Sequence, residues 1–283
     1  MKPNPLEPKE NVTVVISTFN SEKTLARCLN SLTKQTSICI EILVVDNYST
    51  DKTRQVAQAF NAKVHTHKGT PAAARNLGFL KSTAPYVLFL DSDQFLKADA
   101  VEKCIQTCNS SSVEAVKIPE VFVWETFWGH CSAFWKNRMV KAWGQTGGIP
   151  RFFKRDALLS VSAFKSELRF WEDQELHQRL KAAGVKEGWC SSQVFHCESG
   201  SLKAITVKYL MYGQSVVAFS KTKNRTPHLL TANLTLRTLL EVMRTPGRSV
   251  KLFLGFCLLF TVKSMCATLG FVTTRISLKN YNT

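Results

Sequence analysis

None of the nine cysteines in this 283-residue chain stands in a CxxC pair. An odd count without framework spacing argues against a disulfide-stapled secreted domain and against a zinc ribbon. The expectation is buried thiols in a reducing compartment. No GxGxxG and no GxxxxGK[ST] occurs, which removes the dinucleotide fingerprint and the phosphate loop. Met1 to Glu10 is polar and proline-rich with no apolar core, so no signal peptide is expected there. Acidic residues are nearly missing from the last third. Residues 201–283 hold 12 basic residues and only Glu241, hence +11 of the net +16. That third is also rich in Leu, Val and Phe. Basic with apolar reads as a membrane surface; basic with polar would have read as nucleic acid, which is not expected as a partner.

What is present suits a globular enzyme-sized chain. Hydrophobic residues at 45% and charged residues at 20% exclude wholesale disorder. Val12 to Ile16, Ile40 to Val45 and Tyr86 to Leu90 are β-branched or apolar runs. Between them lie helical patterns: Leu25, Cys28, Leu29 and Leu32, then Val56, Ala57 and Phe60, then Pro71 to Leu80. Val64-His65-Thr66 is a short strand candidate. Strands alternating with helices predict an α/β fold with a mostly parallel sheet and helices on both faces. Polar clusters follow the strands directly: Thr18 to Asn20, Asp46 to Asp51, and Asp91 to Asp93. In such a sheet ligands bind outside the carboxyl ends of the strands, so the three clusters should line one crevice.

Five features carry chemistry. Asp91-Ser92-Asp93 ends a buried strand, and two hard carboxylates so spaced can hold one Mg²⁺ or Mn²⁺; the alternative is a solvated turn. Asp46 either accepts hydrogen bonds from a base edge or ribose, or caps the next turn. Arg75, among small residues in Pro71 to Gly78, offers a bidentate fork to phosphate unless it is a surface arginine. Glu172-Asp173-Gln174-Glu175 opens a helix ended by Gly184. Acids there suit the helix dipole, but Trp171 would shelter a carboxylate able to act as general base. His196, at the end of a strand near Gln193 to Phe195, is either structural or completes the metal shell.

Taken in order, Val12 to Asn20, Leu43 to Asp51, Ala74-Arg75-Asn76-Leu77-Gly78, Asp91-Ser92-Asp93 and Glu172 to Glu175 resemble family 2 of the inverting nucleotide-sugar glycosyltransferases over about residues 11–200. The resemblance implies a GT-A fold. It implies that Thr18, Asn20 and Asp46 hold the nucleoside and Arg75 the diphosphate region. Asp91 falls at the ribose- and metal-proximal position, Asp93 at the direct metal ligand, and Asp173 at the catalytic base. His196 matches a histidine that binds the metal in some related enzymes. Processive members carry a QxxRW motif, but Gln193-Val194-Phe195-His196-Cys197 stands here, which favours transfer of single sugars. The implied donor is GDP-mannose or a UDP-sugar, with mannose the first choice, and the implied acceptor a hydroxyl on a lipid-linked glycan. The alternatives are a polyprenyl-phosphate sugar synthase, whose phosphate acceptor needs no base, and a non-catalytic nucleotide-sugar-binding membrane module. Archaeal membrane-associated mannosyltransferases show a similar reduced plan.

The chain is accordingly divided into a polar tail (1–10), a GT-A catalytic domain (11–200), amphipathic interfacial helices (201–250), a membrane-inserted segment (251–275) and a polar tail (276–283). Leu252 to Thr274 can cross a hydrocarbon core of ~30 Å. Lys263 at its midpoint opposes insertion by roughly 2.5–3.5 kcal/mol. The segment either spans, with Lys263 facing a partner helix or snorkelling, or forms a re-entrant hairpin, or is a buried soluble helix. Ser264, Ala267 and Gly270 are small residues suited to helix packing, including a homo-oligomer. Ser201 to Ser220 and Leu229 to Met243 read as interfacial helices. Arg244, Arg248 and Lys251 before the segment favour a cytoplasmic catalytic domain at the cell membrane. The aromatic stretch Trp124 to Trp143 and Gly147-Gly148 are candidates for an acceptor wall, or for core packing.

Overall fold

The computed structural model describes residues 11–36, 39–143, 148–198, 200–220 and 250–281. In chain order the elements are β1 (Asn11–Thr18), α1 (Leu25–Thr33), β2 (Cys39–Asp46), α2 (Thr53–Ala59), β3 (Lys63–Thr66), α3 (Pro71–Lys81), β4 (Tyr86–Asp91), β5 (Gln94–Leu96), α4 (Ala100–Ser110), β6 (Ala115–Lys117), β7 (Glu120–Val123), α5 (Phe127–Trp143), β8 (Phe152–Lys154), α6 (Arg155–Ser160), α7 (Glu172–Ala182), β9 (Glu187–Trp189), β10 (Val194–Cys197), α8 (Leu202–Ser220) and α9 (Val250–Tyr281). They form two compact units, Met1–Val121 with Gly148–His196, and Phe122–Gly147 with Cys197–Thr283. Residues 122–147, placed by sequence inside the catalytic domain, therefore group with the C-terminal part.

The first unit is built on a seven-stranded sheet ordered β3-β2-β1-β4-β8-β6-β9. β1 runs parallel to β2 and β4, and β2 parallel to β3. β8 enters antiparallel between β4 and β6, and β9 pairs parallel with β6. The mixed, mostly parallel sheet is the expected class. Its side chains alternate with period two. Val12, Val14 and Ile16 of β1 and Leu88 and Leu90 of β4 pack with Leu25, Leu29, Val101 and Ile105 of α1 and α4. Val15, Val87 and Phe89 point the other way, into Phe79, Leu158, Leu176 and Leu180 of α3, α6 and α7. Helices cover both faces, which is why the central strands read as unbroken apolar runs. Gly78 permits one of these contacts: a Cβ there would lie 2.3 Å from Val15 Cγ1, so α3 can rest on β1 only without one.

In the second unit α5, α8 and α9 pack together around Cys131, Ile205, Leu252 and Leu259. α9 is one continuous helix of 32 residues, which overturns the re-entrant hairpin and carries the helix past the expected boundary at 276. Its small residues are used within the chain. A Cβ on Gly213 of α8 would lie 1.9 Å from the Ala267 carbonyl oxygen, so the two backbones touch there. Lys263 is buried with a partner: its Nζ donates to Ser132 Oγ at 2.8 Å. Ser132 Oγ in turn donates to Glu198 Oε2 at 2.6 Å, and Lys136 pairs with the same carboxylate. Burial opposes the Glu198 charge, yet Lys136 and Lys208 hold its carboxyl down to about 2. The helix partner expected for Lys263 is thus α5 of its own chain. Met1 to Glu10 and Leu229 to Met243 lie outside the described residues, as does Gly147.

Candidate active site

The register of the first unit brings the three polar clusters into line. Thr18 pairs with Asp46 across β1 and β2, and Ser17 with Asp91 across β1 and β4. Three neighbouring strands therefore end at one level, and their loops leave the sheet side by side.

At the β1 and β2 ends, the expected nucleoside residues bind one another. Thr18 Oγ1 donates to Asp46 Oδ1 at 3.0 Å. Ser49 N donates to Asp46 Oδ2 at 2.9 Å, and Ser49 Oγ to Oδ1. Asp46 is fully buried, so of its two readings the turn cap is the one displayed. Asn20 Oδ1 accepts from Thr50 N at 2.9 Å, and Asn20 N donates to Ser49 Oγ at 2.8 Å. The pair of loops is braced by these bonds and holds two residues, Asn20 and Tyr48, at φ 49° and 54°. Such left-handed positions are sparsely populated by non-glycine residues and gather at functional sites. The outcome is that Phe19 and Tyr48 stand exposed beside Asn47, Lys68 and Gly69 around an open depression of about 610 Å³. Phe19 and Tyr48 lie inside the two motifs read from sequence, yet were not singled out; Lys68 carried no local signal.

At the β4 end the charges interlock. Arg75 is buried, with Nη1 on Glu172 Oε1 and Nη2 donating to Asp91 Oδ1 at 2.6 Å. Its Nε has no hydrogen-bond partner. Arg151 Nη1 lies 3.5 Å from Asp91 Oδ2 and Nη2 lies 3.4 Å from Glu120 Oε1. Both oxygens of Asp91, expected to share a metal, are therefore engaged by guanidinium groups, and Arg75 is a buried strut with one nitrogen to spare, where a free fork was expected. Burial works against the charge of Asp91, but Arg75 and Arg151 outweigh it and hold the acid well below the carboxylate range. Arg75 is thus shared between the buried Glu172 and the half-buried Asp91. Burial raises Glu172 to about 7, helped by Asp173 and resisted by Arg75.

His196 joins this network from β10, where it stands opposite Gln94. Its Nδ1 lies 2.7 Å from Glu120 Oε1 and its Nε2 lies 3.2 Å from Asp93 Oδ2. Burial disfavours the imidazolium, but Asp93 and Glu120 prevail and raise it to about 9. Among the described residues no three His, Cys, Asp or Glu side chains converge as a metal cage. Asp93 offers a carboxylate oxygen, and His196 would offer Nε2 to a cation only on giving up the proton that its two carboxylate partners favour.

Asp173 stands in the first turn of α7, its Oδ1 accepting from Gln174 N at 2.8 Å. Trp171 before it has φ 68°, a strained left-handed entry into the helix. Asp173 lines one small cavity together with Arg75 and Arg151. The two guanidinium groups that hold Asp91 thus face Asp173, and Asp91 is linked through Arg151 and Glu120 to His196 and Asp93. Arg151, Glu120 and Glu172 were missed as site residues. Arg151 and Glu120 belong to no motif, and Glu172 stood in view only as the neighbour of Asp173.

Residues 13–165 match the sequence profile described as glycosyl transferase family 2. The poly(ribitol-phosphate) β-N-acetylglucosaminyltransferase TarS of Staphylococcus aureus is 34% identical over 98 residues, 31% of this chain and 17% of that protein. Glycosyltransferase GlyG of Streptococcus pneumoniae is 31% identical over 114 residues, 38% of each chain. This chain thus spans well under half the length of these curated relatives. In fold it is similar to the mannosyltransferase PcManGT from Pyrobaculum calidifontis, solved with GDP-Man and Mn²⁺, at TM-score 0.58 and 19% identity, over 93% of this chain and 86% of that one.

Proposed function

The chain belongs to glycosyl transferase family 2, and from that premise we propose that it moves one sugar from a nucleoside diphosphate sugar to a hydroxyl acceptor with inversion. The observation that carries this reading is Asp173 sharing a cavity with Arg75 and Arg151. A carboxylate beside that cavity can take the proton of an acceptor hydroxyl, and Arg151, the less tightly held of the two guanidinium groups, can meet the charge of a leaving diphosphate. Arg151 holds its acids at 3.4–3.5 Å, the outer edge of a hydrogen bond, and is the one with donors available to an anion. In this reading Asp91 aims the two arginines, and Asp93, with His196 once it gives up its Nε2 proton, would hold Mn²⁺ or Mg²⁺. When bound, the cation offsets the negative charge of the departing diphosphate. The braced Thr18, Asn20 and Asp46 loops present Phe19 and Tyr48 to the nucleoside, with Lys68 of the β3–α3 connection beside them. GDP-mannose is the first donor to try, since PcManGT was solved with GDP-Man, and UDP-N-acetylglucosamine the second, after TarS.

Asp93→Ala tests the cation. The unchanged chain should gain thermal stability from donor only when Mn²⁺ is present, because bound ligand stabilises by mass action. The variant should lose that metal-dependent gain. A Mn²⁺-dependent shift of unchanged size in Asp93→Ala would remove the metal from the proposal.

The acceptor is proposed to be carried on a lipid, with the catalytic unit on the cytoplasmic side. The support for the lipid is α9, with an apolar stretch over Val250–Ser277 long enough to cross a bilayer; the side rests on Arg244, Arg248 and Lys251 ahead of it in the sequence. Leu254, Leu258, Met265, Leu269 and Ile276 are exposed at steps of four and seven residues, an apolar stripe on one side of the helix. Lys251 and Arg275 stand near the two ends of the stretch and Lys279 follows it, and each cation near an anionic surface adds about 1 kcal/mol. Flotation with phosphatidylglycerol–phosphatidylcholine vesicles should carry the chain upward. Leu258→Asp with Leu269→Asp should leave it at the bottom; equal flotation of both would end the membrane assignment.

A further inference from the structure

His177 has no part in the reaction as described, yet it belongs to the same cavity. It follows Asp173 by four residues on α7, so the two side chains share a helix face. Both line the cavity that holds Arg75 and Arg151, with apolar side chains closing the rest. The space is about 20 Å³, room for one water molecule among polar groups that can bind it. Behind His177 runs a second chain of charge. Its Nε2 lies 2.5 Å from Glu187 Oε1, an ion-pair contact lacking hydrogen-bond direction. Glu187 Oε2 meets Lys117 Nζ at 3.0 Å. All three side chains are largely buried. Burial opposes the Glu187 charge, but His177 and Lys117 beside it keep its carboxyl below the usual range.

A buried His–Glu–Lys chain is costly as packing alone, because apolar residues of like size would fill the space at no desolvation cost. Its placement gives it a use. With Nε2 held against Glu187 Oε1, Nδ1 is the ring nitrogen left to take part in a relay. The groups facing His177 are then Asp173 on its own helix, Arg75 from α3, Arg151 ahead of β8, Glu187 from β9 and, beyond it, Lys117 from β6.

We propose that His177, oriented by Glu187, is a positioning residue that relieves Asp173 of its proton through one water in the cavity. The proposal rests on Asp173 being the base. In the transfer the acceptor O–H bond breaks as its oxygen bonds to the anomeric carbon. The bond from that carbon to the diphosphate oxygen breaks, and its electron pair leaves with the nucleotide. The proton first sits on Asp173. The water takes it and passes one of its own to Nδ1 of His177, which gives it up to solvent once product has left. Asp173 is returned to its anionic form before the next acceptor arrives.

His177→Gln and Glu187→Gln in the full chain test this, with hydrolysis of GDP-mannose and of UDP-N-acetylglucosamine as the readout, since water then stands in for the acceptor hydroxyl. His177→Gln should lower kcat on the order of tenfold, at the weak end of general-base effects, and leave donor KM within about twofold. Its kcat should then rise with imidazole buffer concentration, because bulk buffer replaces the lost relay. Glu187→Gln should show a smaller loss with the same buffer response, and it decides the matter by that response if His177→Gln fails to fold. Wild-type kcat in the variants, or a loss that buffer does not relieve, overturns the relay. Asp173→Asn separates the two readings: activity retained there defeats the base itself, whereas a dead Asp173→Asn beside a normal His177→Gln defeats only the relay.

Discussion

Asp173→Asn is expected to lower sugar transfer by about 10²–10⁴-fold, the range a positioned general base supplies. The substitution keeps size and shape and removes the basic oxygen, so donor affinity should hold within about twofold. Donor-induced thermal stabilisation in the presence of Mn²⁺ measures that affinity independently of turnover. The contrast matters because three readings of the chain diverge here. A transferase acting on a hydroxyl needs the base. A polyprenyl-phosphate sugar synthase attacks with an oxygen already ionised, and would keep its rate in the variant. A non-catalytic module would bind donor and turn over in neither form. Geometry supports the first of these: Asp173 lines a small cavity with two guanidinium groups and has only a local hydrogen bond from Gln174 N. Activity within tenfold of the unchanged chain would refute the base and move the acceptor to a phosphate.

The strands that frame the site were legible because they are buried on both faces. Val12 to Ile16 and Tyr86 to Leu90 read as unbroken apolar runs, and the polar residues after them fell at the strand ends because the strands are parallel and in register. β5, β6 and β9 have three residues each, too short to show a period of two. The charges that complete the site were hidden for a related reason. Arg151 reaches Asp91 only because β8 enters antiparallel beside β4, Phe152 opposite Leu88, and no local spacing encodes that pairing. Glu120 meets His196 across 76 residues. Arg75 was visible, but a sequence cannot reveal that two acids absorb its Nη1 and Nη2. Lys263 was read as an obstacle to membrane insertion; Ser132, 131 residues away, supplies the partner that makes it tolerable.

Arg75→Met should be the most destabilising of these changes. Methionine matches the length of the arginine stem, so α3 can stay packed, but the buried Glu172 loses its cation and the half-buried Asp91 is left with Arg151 alone. Breaking a buried pair in this way costs about 3–5 kcal/mol. For a unit of this size that lowers the melting temperature by on the order of 10 °C. The pH dependence identifies the cause. In the unchanged chain Asp91 is held below its ordinary value of 3.8, so its contribution is present above that pH and is lost on acidification. Glu172, raised from 4.5 to about 7, acts in the opposite sense: its contribution is full below 4.5 and fades as pH rises through 7. Without Arg75, burial and Asp173 push Glu172 higher still, so that acid favours the folded state only when protonated, while Asp91 keeps Arg151. The deficit of Arg75→Met should therefore shrink at pH 5 and widen at pH 8 in parallel thermal melts. Adding Glu172→Gln should recover part of the loss at pH 8, since an amide carries no charge to strand. A deficit independent of pH, with no recovery from Glu172→Gln, would mean that Arg75 acts through packing against Phe164, whose ring centroid lies 5.6 Å from the guanidinium, and not through the two acids.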